Sequence, residues 1–291
     1  MKKTLEDWIV DIVVWVSLLL VAFITLYPFW YIIIASFNEG VDMMRGGVYW
    51  IPRKFTTYNY VDFFRSSEWL SGLKVSVLRT LIGTILTVTF TSMVSYALSR
   101  KDLMFGNTYR FMFIMSMYVS GGLIPFYVVL RIVGLLNTFY VYVIPTMLNL
   151  FFVLVGINFF RSIPESVIES GRLDGALEIT IFFRIVLPVS KPFIATLALF
   201  SAVHQWNSWL DSTYYVNTNS LRPMAYYMVS QINRTISSTS SSQILDSSAV
   251  KVTALSTQAT SVVVSMFPIL CVYPFLQKYF VQGMMIGSVK G

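Results

Sequence analysis

Charged side chains are scarce in this chain of 291 residues, at 12% of the sequence, whereas soluble domains average about 25%. Hydrophobic residues make up 56% of the chain. This composition lacks the polar surface of a soluble protein, so we expect a polytopic membrane protein. The net charge of +7 comes from scattered bases without a dense basic run, which indicates membrane-flanking charge and argues against nucleic-acid binding.

Cysteine and histidine each occur once. Cys271 lies in an apolar stretch and has no second cysteine in the chain, so we expect no internal disulfide and a small buried hydrophobic residue. His204 has no second ligand at a metal-binding spacing, so we expect no metal site.

The sequence also lacks the signatures of several chemistries. No G-x-x-x-x-G-K-[ST] phosphate loop occurs, so nucleotide hydrolysis is not expected in this chain. The long apolar stretches hold almost no acidic residue. This argues against a membrane-embedded enzyme or a proton-coupled carrier working alone, because both need ionisable groups inside the membrane.

Long apolar stretches are what the chain does have. Six of them reach or approach the roughly 20 residues that a helix needs to cross the hydrocarbon core. Because backbone groups in lipid must be satisfied and barrel-type alternation is absent, we predict one all-α polytopic domain, 1–291, with six transmembrane helices. The predicted spans are 12–37, 74–99, 108–131, 137–160, 189–211 and 256–279, with outer loops at 38–70 and 212–255.

An even number of spans places both termini on one side of the membrane. That side would carry eleven of the 21 basic residues: Lys2, Lys3, Arg100, Lys101, Arg110, Arg161, Arg172, Arg184, Lys191, Lys278 and Lys290. The count barely favours either orientation, although the short basic loop at Arg100 and Lys101 favours this side as cytoplasmic.

One polar segment, 162–187, interrupts the apolar second half of the chain. Ser162 and Glu165 have the spacing of a capping box, which predicts a short helix that ends near Leu173. Asp174 and Gly175 predict a turn, followed by a second short helix. Such a helix pair is also typical of an ordinary amphipathic connector at the membrane surface.

The same segment resembles a known family signature. The run Glu169-Ser-Gly-Arg-Leu-Asp-Gly-Ala176, followed by Leu187-Pro188 and Pro192, is similar to the EAA motif of binding-protein-dependent ABC importer permeases. Its DGA core and its I-x-LP ending resemble the MalG-like carbohydrate branch. Ser170 and Gly171 replace the usual Ala-Ala pair, and both replacements are small. The likeness covers nearly the whole chain and implies a type I importer (MetI-like) permease fold.

In that family the motif is a coupling helix, which docks into a groove of a cytoplasmic ATPase subunit. The resemblance assigns this role to Glu169, Ser170, Gly171, Asp174, Gly175, Ala176, Leu187 and Pro188. It also implies the partners: a second, different permease in a heterodimer, two ATPase subunits that bind ATP and Mg, and an extracellular or periplasmic solute-binding protein or lipoprotein.

The function implied is import of an oligosaccharide across a bacterial cytoplasmic membrane, with both termini cytoplasmic and no enzymatic activity in this chain. The expected substrates include an anionic sugar, because the bases Lys74, Arg79 and Arg131 lie near the outer ends of spans and would attract its negative charge. These bases also fit snorkelling to lipid headgroups. The alternative within the superfamily is a permease for an amino acid, peptide or oxyanion.

Polar and aromatic residues at the end of the fifth span form a candidate substrate path. Polar groups at membrane depth cost free energy unless they face protein, water or substrate. Trp206-Asn207 resembles a W-N element of sugar permeases at this place, although an interfacial aromatic belt has the same composition. The candidate path residues are His204, Gln205, Trp206, Asn207, Trp209, Arg79, Gly121 and Gly122, the last two as a bending or packing point in the third span.

Overall fold

A computed structural model describes residues 5–239 and 252–288, which are helical apart from turns, loops and one isolated bridge between Asn38 and Phe55. The helices are α1 (Leu5–Ser36), α2 (Gly40–Met44), α3 (Tyr58–Arg65), α4 (Ser67–Ser99), α5 (Gly106–Tyr118), α6 (Leu123–Ile132), α7 (Tyr140–Val143), α8 (Leu150–Arg161), α9 (Glu165–Leu173), α10 (Glu178–Ile181), α11 (Leu187–Val189), α12 (Lys191–Asn207), α13 (Leu210–Tyr215), α14 (Met224–Thr239) and α15 (Ala254–Ser288). A π-helical turn, Phe182–Val186, joins α10 to α11, and a 3-10 turn, Asn219–Leu221, precedes α14.

Within the described residues, three helical segments are each long and apolar enough to cross a membrane: Glu6–Ser36, Ser67–Ser99 and Ala254–Val272. Three pairs of helices meet the same criterion together but bend at a short break, and counting each pair as one span gives up to 6 spans. The all-α class is therefore confirmed, and the number of spans agrees with the six that were predicted.

The third predicted span is not one straight helix. α5 ends at Tyr118 and α6 begins at Leu123, with a bend of 117° between them. Gly122 has φ +81°, a left-handed backbone conformation that residues with a Cβ rarely adopt. The Gly-Gly pair thus marks a change of direction, which agrees with the bending point predicted at Gly121 and Gly122.

The fourth predicted span is also interrupted. α7 contains only four residues, and helix α8 begins at Leu150. Pro145 has no backbone N–H to continue the helix, which fits a break at this point. The Asn149 side-chain oxygen then accepts a hydrogen bond from the Phe152 amide at 3.1 Å and caps the new helix.

The chain divides into two units, Met1–Ser67 with Met228–Pro268, and Glu68–Tyr227 with Ile269–Gly291. In the first unit the loop predicted at 38–70 is folded. The Asn59 amide donates to the Ser36 and Asn38 carbonyls, both at 2.9 Å. Arg53 donates a hydrogen bond to the Asp42 carboxylate at 2.9 Å. This hydrogen bond is the main cause that lowers the pKa of the Asp42 carboxyl, and a hydrogen bond from Asn38 is the second.

The second predicted loop, 212–255, also contains regular structure. It includes the end of α13, a 3-10 turn and helix α14. Its serine-rich part lies largely outside the described residues. Cys271, predicted to be buried, is exposed on α15. An apolar residue on a membrane-spanning helix is stable there, because lipid covers the exposed face as well as protein does.

The core of the second unit lies beneath the polar segment of the sequence. Its buried side chains come from α4, α8, α9, α10, the π-helical turn and α12: Tyr96, Phe152, Phe160, Ile168, Ile181, Phe182, Val186, Phe193 and Leu197. Gly156 allows α8 to approach its neighbours, because an added Cβ would lie 2.6 Å from the Ser95 hydroxyl and 2.8 Å from the Phe193 ring.

Candidate functional site

The polar segment folds as two helical pieces joined at Gly175. The Ala176 amide donates to the Gly171 carbonyl and the Gly175 amide to the Arg172 carbonyl, both at 3.0 Å, which is the Schellman arrangement that ends a helix. Gly175 has φ +76° and nothing lies within 4 Å of an added Cβ. Glycine is therefore required by the backbone conformation and not by space. The predicted glycine turn agrees with the structure.

The start of this segment differs from the prediction. α9 begins at Glu165 with Pro164 at the N-cap position, and no side chain caps it. The Ser162 hydroxyl instead donates to the Phe159 carbonyl at 2.6 Å and so belongs to the end of α8. The capping box of Ser162 and Glu165 is therefore wrong, because Pro164 adopts an extended backbone conformation (ψ 131°) that separates the two residues.

The helix pair has an apolar underside that is packed into the core. Ile168 is 4% exposed, and Ile181 and Val186 are completely buried. Gly171 lies between the two helical pieces, where an added Cβ would be 2.8 Å from Ile185 and 3.3 Å from Ile181. An alanine at this position would require the terminal methyl group of Ile185 to move, so the small residue fits the close packing of the two helical pieces.

The predicted coupling residues divide between the two faces of the pair. Glu169, Ser170, Asp174, Gly175 and Pro188 are exposed, whereas Gly171 is buried and Ala176 and Leu187 are half-buried. Two further residues at the tip were not among the predicted coupling residues: Leu173 is 88% exposed and Leu177 is 73% exposed. The two leucines lie on either side of the turn at Gly175.

Ion pairs join the two pieces of the helix pair to each other and to the segment that follows α4. Arg172 pairs with Glu178, its Nε donating at 2.7 Å, and approaches Asp102 at 3.8 Å. The hydrogen bond to Glu178 raises the pKa of Arg172, and Arg100 lowers the pKa of Asp102. Together with apolar neighbours, these residues line a cavity of about 410 Å³.

The free-energy contributions of the ion pairs and of the buried side chains show which of the two holds the helix pair in place. Exposed ion pairs contribute about 0–1 kcal/mol each, whereas a fully buried aliphatic or aromatic side chain contributes about 1.5–3 kcal/mol. The side chains of Arg172, Asp102 and Glu178 are 38–63% exposed. The buried underside is therefore the main mechanical connection between the helix pair and the transmembrane helices.

A second polar site is built around Arg79 on α4, which is completely buried. Its guanidinium donates to the Gln205 side-chain oxygen at 3.1 and 3.2 Å, to the Ser208 carbonyl at 3.1 Å and to both Asp211 carboxylate oxygens. It also lies 4.3 Å from the centre of the Tyr142 ring. Arg79 therefore neither snorkels to a lipid surface nor presents a free donor to a solute.

Gln205 is held just as firmly. Its Nε2 donates to the Thr146 hydroxyl at 2.7 Å and to the Tyr142 carbonyl at 3.3 Å. Gly83 on α4 makes room for it, because an added Cβ would lie 2.6 Å from Gln205 Nε2. This network fixes α4, the segment 142–146 and the junction of α12 with α13 in one arrangement.

The remaining candidate path residues fall into three groups. His204, Asn207 and Trp209 line a cavity of about 290 Å³ together, and His204 and Gln205 also line a second cavity of about 390 Å³. Trp206 is 8% exposed and lines neither cavity. Gly121 and Gly122 form the exposed break after α5 and line neither cavity.

Comparisons with known proteins identify relatives over nearly the full length, although no protein-family model matches the chain. The chain is 36% identical over 273 residues to protein LplC of Bacillus subtilis, covering 92% of this chain and 90% of that protein. It is 35% identical over 291 residues to the polygalacturonan/rhamnogalacturonan transport system permease protein YtcP of the same organism, covering 99% and 100%. Among solved structures, a bacterial ABC transporter involved in the import of the acidic polysaccharide alginate matches with a TM-score of 0.86 at 25% identity, covering 96% and 99%.

Proposed function

Because this chain belongs to the family of permease subunits of ABC importers for sugars and oligosaccharides, we propose that it forms half of the path for an oligosaccharide that a binding protein delivers. A chain of this family is a multi-pass membrane protein that works with an ATPase and a solute-binding protein, and it is a transport subunit, not an enzyme.

The observation that carries the proposal is the helix pair hinged at Gly175. Its tip presents Leu173 and Leu177 beside the acidic residues Glu169 and Asp174, while its underside is buried in the core. An exposed apolar tip with acidic flanks suits a groove on an ATPase subunit. The buried underside suits the transfer of movement into the transmembrane helices, because packed cores move as rigid bodies.

The mechanism follows from these parts. Two ATPase subunits, which bind ATP and Mg, close on ATP and move the coupling helices of both permeases. That movement turns the spans from an inward-open to an outward-open arrangement, in which a loaded binding protein releases its sugar. This chain supplies the docking tip, the buried connection and one wall of the path.

The substrate class rests on the relatives. YtcP is named for polygalacturonan and rhamnogalacturonan, and a further relative, AraQ of Halalkalibacterium halodurans, for arabinooligosaccharides. These names favour an oligosaccharide, including one that carries uronic acids, over an amino acid, peptide or oxyanion.

The proposed assembly contains a second permease, because one set of six spans does not enclose a path. The likeness to sugar permeases favours a different chain, and so a heterodimer, over a second copy of this one. We place it in the cytoplasmic membrane of a bacterium, with both termini on the cytoplasmic side and the binding protein outside. This orientation puts the Gly175 turn on the side where the ATPases act.

Reconstitution tests the proposal. The chain is purified with its second permease and ATPase, inserted into proteoliposomes, and supplied with the loaded binding protein and ATP. We expect oligosaccharide uptake that requires both ATP and the binding protein. Uptake that continues without the ATPase, or no uptake of any saccharide by a fully assembled complex, would contradict the proposal.

A further inference from the structure

The cavity of about 390 Å³ is the one that carries an inference about substrate recognition, and this inference rests on the proposed function. It lies among α4, the end of α5, the start of α8 and the end of α12, all in the second unit. Small-molecule sites in proteins occupy about 300–1,000 Å³. The cavity is therefore large enough for a short part of a saccharide and too small for a long chain.

Three polar side chains line this cavity and have bonding capacity left. Ser201 is 7% exposed, and among the described residues its hydroxyl has no hydrogen-bond partner. His204 likewise makes no side-chain hydrogen bond within the described part of the chain. The Asn149 oxygen caps α8, but its amide nitrogen has no acceptor among the residues that the structure describes. These groups line the cavity, so a ligand that enters it can take up their remaining hydrogen-bonding capacity.

Other polar groups in the same wall are already engaged. The Ser116 hydroxyl donates to the Met112 carbonyl of its own helix at 2.8 Å. Thr146 and Gln205 bond each other at 2.7 Å. The free groups are thus concentrated on Asn149, Ser201 and His204, while Phe151, 57% exposed, adds an apolar face.

The charge of the wall decides which ligand fits. Among the residues that the structure describes, those that line the cavity include no lysine, arginine, aspartate or glutamate. The buried cation on α4, Arg79, is neutralised by Asp211 and has its donors engaged by protein groups. A carboxylate placed here would lose its hydration without gaining a countercharge, whereas sugar hydroxyls would gain hydrogen bonds.

We propose that Asn149, Ser201 and His204 form a subsite that binds the hydroxyl groups of one uncharged sugar ring or uncharged ring face during transport. The carboxylates of an acidic saccharide are not recognised at this point of the path. Gln205 of the Arg79 network borders the cavity with its groups already engaged, and the coupling segment does not line it.

Reconstituted transport of two matched trisaccharides tests the proposal. Galactotriose and trigalacturonate carry the same rings and differ in oxidation at C6. Ser201→Ala removes one hydroxyl contact and should raise the KM of uptake about three- to tenfold for both sugars, with kcat changed less than twofold, because one neutral hydrogen bond is lost. Ser201→Leu fills the cavity and should lower uptake at least tenfold.

The matched control is Ser116→Ala, which removes a hydroxyl from the same cavity that bonds its own helix, and it should leave KM within twofold. A KM for Ser201→Ala within twofold of wild type for both sugars would overturn the subsite, as would an effect confined to trigalacturonate. If the complex with Ser201→Leu does not assemble, the KM of the Ser201→Ala complex alone decides whether the subsite exists.

The wild-type complex separates the two proposals. If wild type takes up a trisaccharide with ATP and the Ser201 variants do so equally well, the subsite fails and the proposed function stands. If a fully assembled wild-type complex takes up no saccharide, the proposed function fails and the subsite with it.

Discussion

Arg79 is the residue whose place in the structure differs most from both sequence interpretations. Its position near the mouth of a span suggested an attractant for anionic sugars or a snorkelling side chain. The structure instead buries it completely and pairs it with Asp211, 132 positions later in the sequence. The sequence showed a base and an acid at two span ends, but their pairing depends on helix packing, which no local pattern reveals.

Charge-neutralising substitutions at this pair have an expected pattern. Arg79→Gln leaves Asp211 without its partner, and Asp211→Asn leaves a buried cation, so each should destabilise the complex by about 3–5 kcal/mol. The double variant removes both charges and should cost clearly less than the sum of the two single losses. Thermal unfolding of the detergent-purified complex measures this, and strictly additive losses would contradict the buried pair.

The close approach at Gly83 gives a second test. Gly83→Ala would put a methyl group 2.6 Å from Gln205 Nε2, and Gln205 is held by hydrogen bonds that prevent it from moving cheaply. We expect a loss of about 1–3 kcal/mol from overpacking. Gly121→Ala is the matched control, because its nearest neighbour would lie 3.6 Å away. Equal melting temperatures for the two variants would show that the network does not constrain Gln205.

At the level of elements, hydropathy located the spans but not their breaks. A window of apolar residues has a length but no direction, so 137–160 was predicted as one span without a break, and in 108–131 the glycine pair was predicted only as a bending or packing point. The structure bends the first by 117° at Gly121 and Gly122 and restarts the second at Asn149. The signals were present as a glycine pair and a proline, yet the bend angle depends on tertiary packing.

The coupling segment was predicted more fully, because its turn is set locally. Asp174 and Gly175 specified a left-handed residue that the backbone adopts. The exposed leucines at its tip were missed, since exposure of an apolar residue follows from the partner surface and not from the chain alone. The assignment of this tip to an ATPase groove stays a prediction.

The leucines therefore provide a test at the level of the element. Leu173→Ser and Leu177→Ser should leave the fold intact, because both side chains are mostly exposed, and should weaken association with the ATPase about tenfold or more. Met104→Ser is the control, as Met104 is 73% exposed on the neighbouring segment. Binding of the purified ATPase to permease in nanodiscs measures the effect. Unchanged affinity in both leucine variants would place the docking surface elsewhere.

For the whole molecule, composition and span length were enough to predict an all-α membrane protein with six spans. They did not reveal its family. That came from an ordered motif of few residues, and the full-length relatives at 36% and 35% identity then established it. The identity of the partners and of the sugar depends on surfaces that lie partly on other chains, so this sequence alone leaves both as proposals.

The central claim is that the helix pair hinged at Gly175 transmits movement from the ATPases to the path. The most direct measurement is sugar transported per ATP hydrolysed in proteoliposomes, for wild type, Gly175→Val and Gly175→Asn. Asparagine tolerates φ +76° better than a β-branched residue. The account predicts that Gly175→Val keeps at least about half of the ATP hydrolysis while uptake falls tenfold or more, with Gly175→Asn in between. An unchanged ratio of sugar to ATP in Gly175→Val would contradict it.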